Sequence, residues 1–428
     1  MGHIVNPDRE YHLLQQRLDL NVTGAPDSEV FIKILRLLFT PEEANFASQI
    51  PLRPTPMGTL SQKLGVTEKE LKERVTDLAH RGLVFDIEFA GQYYVALAPV
   101  VIGFFEFTFM RTRDDLPMAE LAKLFEEYMM ADDRFAKSIF EGSTQIGRSL
   151  VREEALPETD YTEMLDWERA TNIIKSATDI GVSLCACRHK AHHLGKGCDS
   201  PQQTCLTLNG GAQLLIKNGI AERISTSRAM SILEECKAAG LAQTADNVQK
   251  SVGYICNCCS CCCGMFQAIK TFNLPKAIVS SNWIMEIHQA KCKGCGLCVK
   301  ACPVGAIGII KGNSEKSKSS IQLQEELCLG CGVCYSACKT GGITMKPRPR
   351  RVFTPETTFD RYIAMAIERG KLANLVFDDP GKLSHRALGR IGSLLEKSTP
   401  YKALMAIEPL KSVFLKSIIS GAKKFSDI

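Results

Sequence analysis

Apolar positions recur at three- and four-residue spacing through much of the first hundred residues, the period of an amphipathic helix. Tyr11 to Leu20 is a short amphipathic stretch, followed by the turn-rich Thr23-Gly-Ala-Pro-Asp. From Ser28 onward Val30, Ile34, Leu35, Leu37 and Leu38 mark one helix, and Met57 to Leu64 and Thr67 to Arg81 predict two more. Thr67 with Glu70 three residues on has the form of a capping box. Gly82 stands where a helix stops. Leu83 to Leu97 then alternates in period two about Ala90-Gly91, which predicts a hairpin. Three helices and a hairpin outline a winged helix.

Further on, the stretch 101–180 reads as helical and opens with a dense aromatic run from Ile102 to Met110. An aromatic core strip is the reading Phe favours there, with Glu106, Arg111 and Arg113 beside it as salt-bridge partners. A helix is expected over Ser227 to Ala239, a strand over Trp283 to His288, and amphipathic helices through 355–428. The polar Lys311 to Ser320 reads as a surface loop. The pattern divides the chain into an arm (1–28), a winged-helix-like domain (29–100), a helical connector (101–180), a helical Cys-rich domain (181–281), a ferredoxin-like domain (282–350) and a helical C-terminal region (351–428). The expected class is α+β and multidomain.

With 428 residues, 45% hydrophobic and 23% charged, the chain has an ordinary globular composition. No apolar run has the ~20 residues of a membrane span. The opening residues carry no apolar signal segment. Nineteen cysteines without one predict metal binding in a reducing cytoplasm over disulfides. Exposed clusters would suit an anaerobe.

The net charge of +5 is unevenly spread. Residues 1–100 hold 10 Lys+Arg against 13 Asp+Glu. That acidic balance argues against DNA binding by the would-be recognition helix, because nucleic-acid affinity comes largely from phosphate neutralisation. Docking or dimerisation is the reading preferred for that domain. Residues 283–350 hold 10 Lys+Arg against 4 Asp+Glu, which predicts redox partner proteins with acidic docking surfaces. Lys411, Lys416, Lys423 and Lys424 give the last helix a basic face, suited to a membrane surface or, more commonly, to packing on the rest of the chain.

The cysteines carry the chemistry. Cys292, Cys295, Cys298 and Cys302 have C-x2-C-x2-C-x3-C spacing, and Cys328, Cys331, Cys334 and Cys338 repeat it. In two-cluster ferredoxins the fourth Cys of each run ligates the other cubane. One [4Fe–4S] cluster is therefore expected on Cys292, Cys295, Cys298 and Cys338, and a second on Cys328, Cys331, Cys334 and Cys302. Gly294, Gly296, Gly330 and Gly332 let such loops curl and approach closely. Lys339 replaces the Pro that follows the first run, and Lys346, Arg348, Arg350 and Arg351 make a basic exit. Zinc knuckles, which favour separated pairs, fit this spacing badly.

A further ten cysteines lie upstream: Cys185, Cys187, Cys198, Cys205, Cys256, Cys258, Cys259, Cys261, Cys262 and Cys263. They predict an additional iron–sulfur cluster or zinc, softness favouring iron–sulfur. The early four could bind one centre and the later six another. Alternatively the groups interleave, Cys258/Cys261 and Cys259/Cys262 being i,i+3 pairs. A zinc site drawing on His189, His192 or His193 is a third option. Arg188, His189 and Lys190 either offset cluster charge or form a solvated basic loop. Lone Cys236 reads as a small buried hydrophobe. No nucleotide-binding glycine loop, Ser/His/Asp arrangement or C-x3-C-x2-C run is present.

Cys262-Cys263-Gly264 is similar to the Cys-Cys-Gly element of heterodisulfide-reductase-type subunits, which implies an unusual five-thiolate cluster. Over nearly its whole length the chain resembles the large 4Fe–4S ferredoxin-type binding proteins of anaerobic bacteria. That resemblance rests on Thr23-Gly-Ala-Pro26, Gly103-Phe-Phe-Glu-Phe107 with Met110-Arg111, Cys185-x-Cys187-Arg-His-Lys190, the Ile255 to Cys263 motif and the paired ferredoxin runs. It implies electron-transfer chemistry and no particular substrate. Three functions follow as expectations: an electron-transfer protein or subunit, a redox-sensing winged-helix regulator, and a reductase whose site is the 185–263 centre.

Overall fold

The computed structural model describes residues 6–156, 164–310 and 319–378, with Ile391, Gly392, Leu394, Glu396 and Ser398 beyond them. The chain forms two compact units, one from 1–108, 113–144 and 358–428, the other from 109–112 and 145–357. Helix and sheet are mixed throughout.

The first unit begins with helices Arg9–Asp19, Glu29–Leu38 and Pro41–Ser48. The third of these is additional to the helices expected from periodicity. Thr40 and Glu43 close a reciprocal capping box around Pro41 at its first turn, a strong local start signal. Strand β1 (Thr55–Pro56), helices Met57–Leu64 and Glu68–His80, and strands β2 (Val84–Phe89) and β3 (Gln92–Leu97) follow, the strands in order β1-β3-β2. Thr67 Oγ1 accepts the Glu70 N–H at 3.2 Å, while the Glu70 carboxylate pairs with Arg74 at 2.7 Å. Gly82 takes φ +80° and ends that helix.

The aromatic run packs inward: Phe104, Phe105, Phe107, Phe109 and Met110 are all buried. Within the first unit Phe31 lies between Phe104 and Tyr128, stacking on Tyr128 at 4.6 Å. The ion pairs expected beside the run take another form. Arg113 pairs with Asp115, and the Glu106 carboxylate accepts the Gly103 N–H at 2.9 Å.

The second unit is built on strands β4 (Gly147–Ser149), β5 (Ile180–Leu184), β6 (Gln203–Leu208), β7 (Glu222–Arg223), β8 (Ala242–Asp246) and β9 (Tyr254–Cys258). They form one antiparallel sheet in the order β4-β8-β9-β6-β5-β7. The middle region is thus not the helical domain expected, and β4 comes from the supposed helical connector. These strands are two to six residues long, and short apolar runs carry no period that separates strand from helix. Leu206, Leu208, Ile255 and Ala245 pack into a core with Ile173, Ile232, Leu233 and Cys236 from helices Ala170–Ser176 and Thr226–Ala238. Cys236 is fully buried there, and burial pushes its thiol up to about 12.

Strands β10 (Trp283–Ile287) and β13 (Ile343–Pro347) pair antiparallel, as do β11 (Ile307–Ile310) and β12 (Ser320–Leu323). The polar 311–318 segment lies outside the described residues, as do Lys411, Lys416, Lys423 and Lys424. The C-terminal region shows helices Thr358–Glu368 and Leu372–Val376. No helix among the described residues is long and apolar enough to cross a membrane.

Candidate metal centres

The paired β10/β13 and β11/β12 ladders hold the two loops that carry the ferredoxin cysteines. Gly330 has φ +67°, and a Cβ there would sit 2.1 Å from the Trp283 carbonyl oxygen and 2.3 Å from Ser281 Oγ. Gly294, with φ +62°, would meet the Ser319 carbonyl oxygen at 2.1 Å. Only glycine accepts both the dihedral and the approach.

Cys298 has Cys338 and Cys292 as neighbouring thiols. Cys334 has Cys331, Cys328 and Cys302, and after them Cys298 of the other set. Cys302, Cys328, Cys331 and Cys334 line one cavity with Met285, Val304, Ile307 and Met345. Four convergent thiols in an apolar cavity are a donor set that fits a cubane. Burial pushes Cys331 up to about 12 and Cys334 well above the usual thiol range, so metal binding there would release protons. Backbone donors face the sulfurs, as when the Ala306 N–H donates to Cys302 Sγ at 3.2 Å. Cys295 is exposed.

Two arginines brace this region. Arg348 donates to the Cys328 and Ser281 carbonyls at 2.5 and 3.0 Å. Arg152 donates to Ser336 Oγ (2.5 Å) and to the Lys237 and Leu241 carbonyls (2.9 and 3.0 Å), while its N–H donates to the Cys331 carbonyl (3.1 Å). No spacing in the sequence marks Arg152 for that role. It lies more than a hundred residues from the cysteine it supports.

The ten upstream thiols gather around the end of the six-stranded sheet and interleave. Leu206 pairs with Ile255, and neighbours along a strand alternate faces. Cys205 and Cys256 therefore share the face opposite the Leu206/Ile255 core. Cys256 is pushed up first by the adjacent thiols Cys205 and Cys258. Cys258 is pushed down by Cys256 and Cys263, and Cys263 has Cys187 beside it as well. Burial and then Cys187 raise Cys185. These six form one neighbourhood.

Cys198, Cys259, Cys261 and Cys262 form another, their Sγ atoms all within 4.8 Å of one another. Cys261 and Cys262 stand 3.6 Å apart. Cys259 is pushed down to about 4, chiefly by Cys262. The early cysteines do not act as a set, because Cys198 leaves Cys185, Cys187 and Cys205. Cys259 and Cys262 meet as an i,i+3 pair, whereas Cys258 and Cys261 fall in different neighbourhoods. Cys262 and Cys263 are likewise parted. No histidine joins the four-thiol set, and His189 Nδ1 lies 2.8 Å from the Phe109 carbonyl oxygen.

Arg188 is not in a solvated loop. It lies on helix Ala186–His193 with no exposed surface, donating to the Asn257 carbonyl (3.0 Å) and Thr204 Oγ1 (2.5 Å). Burial disfavours its charge, but Cys185, Cys259 and Cys258 outweigh that and hold the guanidinium charged. A buried cation whose charge is favoured by neighbouring cysteines suits a negatively charged metal–thiolate centre. Lys190 is also buried.

The two cysteine regions touch. Ser260, between Cys259 and Cys261, donates through Oγ to the carbonyl of Pro303, the residue after Cys302, at 2.8 Å.

Residues 291–351 match the family model described as a 4Fe-4S dicluster domain. Neither a curated protein nor a solved structure matches the chain. The chain therefore contains a ferredoxin-type iron–sulfur domain, and together with the four-thiol set this points to an iron–sulfur electron-transfer role.

Proposed function

We propose that this protein relays electrons between a redox partner and an oxidoreductase through two [4Fe–4S] clusters and a further thiolate centre. Cys292, Cys295, Cys298 and Cys338 would hold one cluster, and Cys328, Cys331, Cys334 and Cys302 the other. Such clusters supply one-electron transfer at potentials tuned by charge, hydrogen bonds to sulfur and exposure. Arg152, Arg188 and Arg348 place positive charge beside the thiols, and apolar Met285, Val304 and Met345 keep water from the second site.

The observation that carries the relay is the Ser260–Pro303 hydrogen bond, which seats the upstream thiol loop against the residue following Cys302. Stopped-flow mixing of the reduced protein with a one-electron acceptor should oxidise both cysteine regions in a single kinetic phase. A separate slow phase for the upstream centre would break the relay.

Cys295 is exposed, with exposed Lys291 and Lys293 beside it in the loop and exposed Lys300 on helix Leu297–Ala301. This supports delivery to or from an acidic partner, with rates that fall as salt rises. Salt-independent rates would reject that docking mode.

The first unit supports a winged-helix reading through helix Glu68–His80 and the β2–β3 hairpin. Three of its cations are engaged, Arg74 by Glu70, Arg81 by Glu43 and Asp77, and Lys72 over the Tyr93 ring. Docking or dimerisation is thus its role, and retardation of promoter DNA in a gel shift by holo or apo protein would reverse that.

A further inference from the structure

Resting on the reading of the upstream thiols as metal ligands, the geometry points to two separate centres there. One of them is a single tetrahedral metal ion held by Cys198, Cys259, Cys261 and Cys262. Bonds of about 2.3 Å to a central ion give a thiolate tetrahedron with edges of about 3.8 Å. Four Sγ atoms all within 4.8 Å, with one pair at 3.6 Å, lie close to that size. The thiolates of a cubane each bind a different iron at the outward corners of a cube, so they stand further apart than the ligands of one ion.

The fold separates the two sets. Cys259 belongs to the apolar core on the Leu206/Ile255 face of the sheet, with Cys198 and Cys262 packed against that core. Cys205 and Cys256 project from the opposite face, beside Cys258. Arg188 stands between, within reach of both Cys259 and Cys185.

The donors and their setting give the ion its class. Four thiolates without histidine or carboxylate select zinc or iron, and a closed set of four protein ligands is the structural type, with no position left for substrate. The loop that supplies three of them is already shaped by helix Gly264–Phe272. Gln267 Nε2 donates to the Ser260 and Cys261 carbonyls at 3.1 and 2.7 Å, and Lys270 donates to Ser260. The ion ties that loop to Cys198, from the segment after helix Ala186–His193. It thereby fixes the position of Ser260 against Pro303. Cys185, Cys187, Cys205, Cys256, Cys258 and Cys263 are left as the donors of a larger, iron–sulfur site.

The test compares metal and acid-labile sulfide in the full-length protein purified without oxygen, as wild type and as Cys198→Ser and Cys205→Ser. Cys198→Ser should lose one zinc or one iron per chain with sulfide unchanged. Cys205→Ser should lose iron and sulfide together and keep the single ion. Loss of sulfide from Cys198→Ser, an unchanged metal content, or the same loss in both variants would overturn the assignment. Should either variant fail to fold, cobalt exchange into the wild type provides the second measurement. Intense visible bands of tetrahedral cobalt thiolate are expected, and their absence counts against the site. Failure of the ferredoxin clusters to exchange electrons with the upstream centre would sink the relay and leave this assignment standing.

Discussion

Between Cys292 and Cys338 each candidate ligand stands two or three residues from the next within its run, on loops shaped by glycines whose Cβ has no room. Between Cys185 and Cys263 the candidate ligands come from a helix start, an irregular loop, two strands and a tight turn, and the sheet decides which thiols meet. The first region carries its binding site in the backbone of two short loops. The second assembles its site only when the six-stranded sheet has formed. Charge follows the same division: lysines around the first loops are exposed, whereas Arg188 and Lys190 are buried against the upstream thiols. A spacing motif can thus be local and portable, while a thiol-rich centre without one depends on the fold that surrounds it.

Substitutions that strike one region and spare the other test this contrast. The largest effect is expected from Arg188→Met, which leaves buried thiolates without their cation. Stability should fall by about 3–5 kcal/mol, as when one partner of a buried pair is removed. Anaerobic denaturant titration measures it, and metal analysis should show the upstream complement lost before the ferredoxin iron. Gly330→Ala forces an L side chain to φ +67° against the Trp283 carbonyl. Strain of that kind costs about 1–3 kcal/mol, and EPR of the reduced protein should lose one ferredoxin cluster signal while the upstream centre persists.

Two further substitutions lie in the first unit and should leave iron and sulfide untouched. Burial raises Glu106 from 4.5 to about 7, against the Gly103 N–H that favours the carboxylate. Its folded-state pKa is above the unfolded one, so the contribution is complete at acid pH and fades as pH rises through about 7. Stability should decline by on the order of 1 kcal/mol between about pH 5 and 8, and Glu106→Gln should flatten that slope in denaturation curves. Thr67→Ala removes a helix N-cap and should lower stability by roughly 0.5–1 kcal/mol, read as a small shift in denaturation midpoint. Loss of metal from either variant would mean that the centres depend on more than their own unit.

How legible each region was follows from the same contrast. The ferredoxin runs, helix Met57–Leu64, the Thr67 cap and the Ala90-Gly91 hairpin are all written in neighbouring residues. Helix Pro41–Ser48 was also open to view, since Thr40-Pro-Glu-Glu43 is a capping signal in plain sequence. The sheet was not: β5 is a short apolar run buried on nearly its whole length, and β4 and β7 hold three and two residues. Without the sheet, nothing in the spacing could detach Cys198 from Cys185 and join it to Cys259. Arg188 was visible as a cation near thiols, but its burial comes from Asn257 and Thr204, contacts that only the folded β6 and β9 provide.

Arg152 has a consequence for how the protein matures. Its backbone holds the Cys331 carbonyl while its guanidinium grips Lys237 and Leu241 at the end of helix Thr226–Ala238. The loop that carries Cys328 and Cys331 is therefore completed by the segment that follows β4 of the sheet. Because metal binding and folding share one free energy, loading at Cys328 and Cys331 should be stronger once the sheet is in place. Loading would then follow an order, sheet first and ferredoxin loop after, and a chain with a failing sheet would take up iron there less readily.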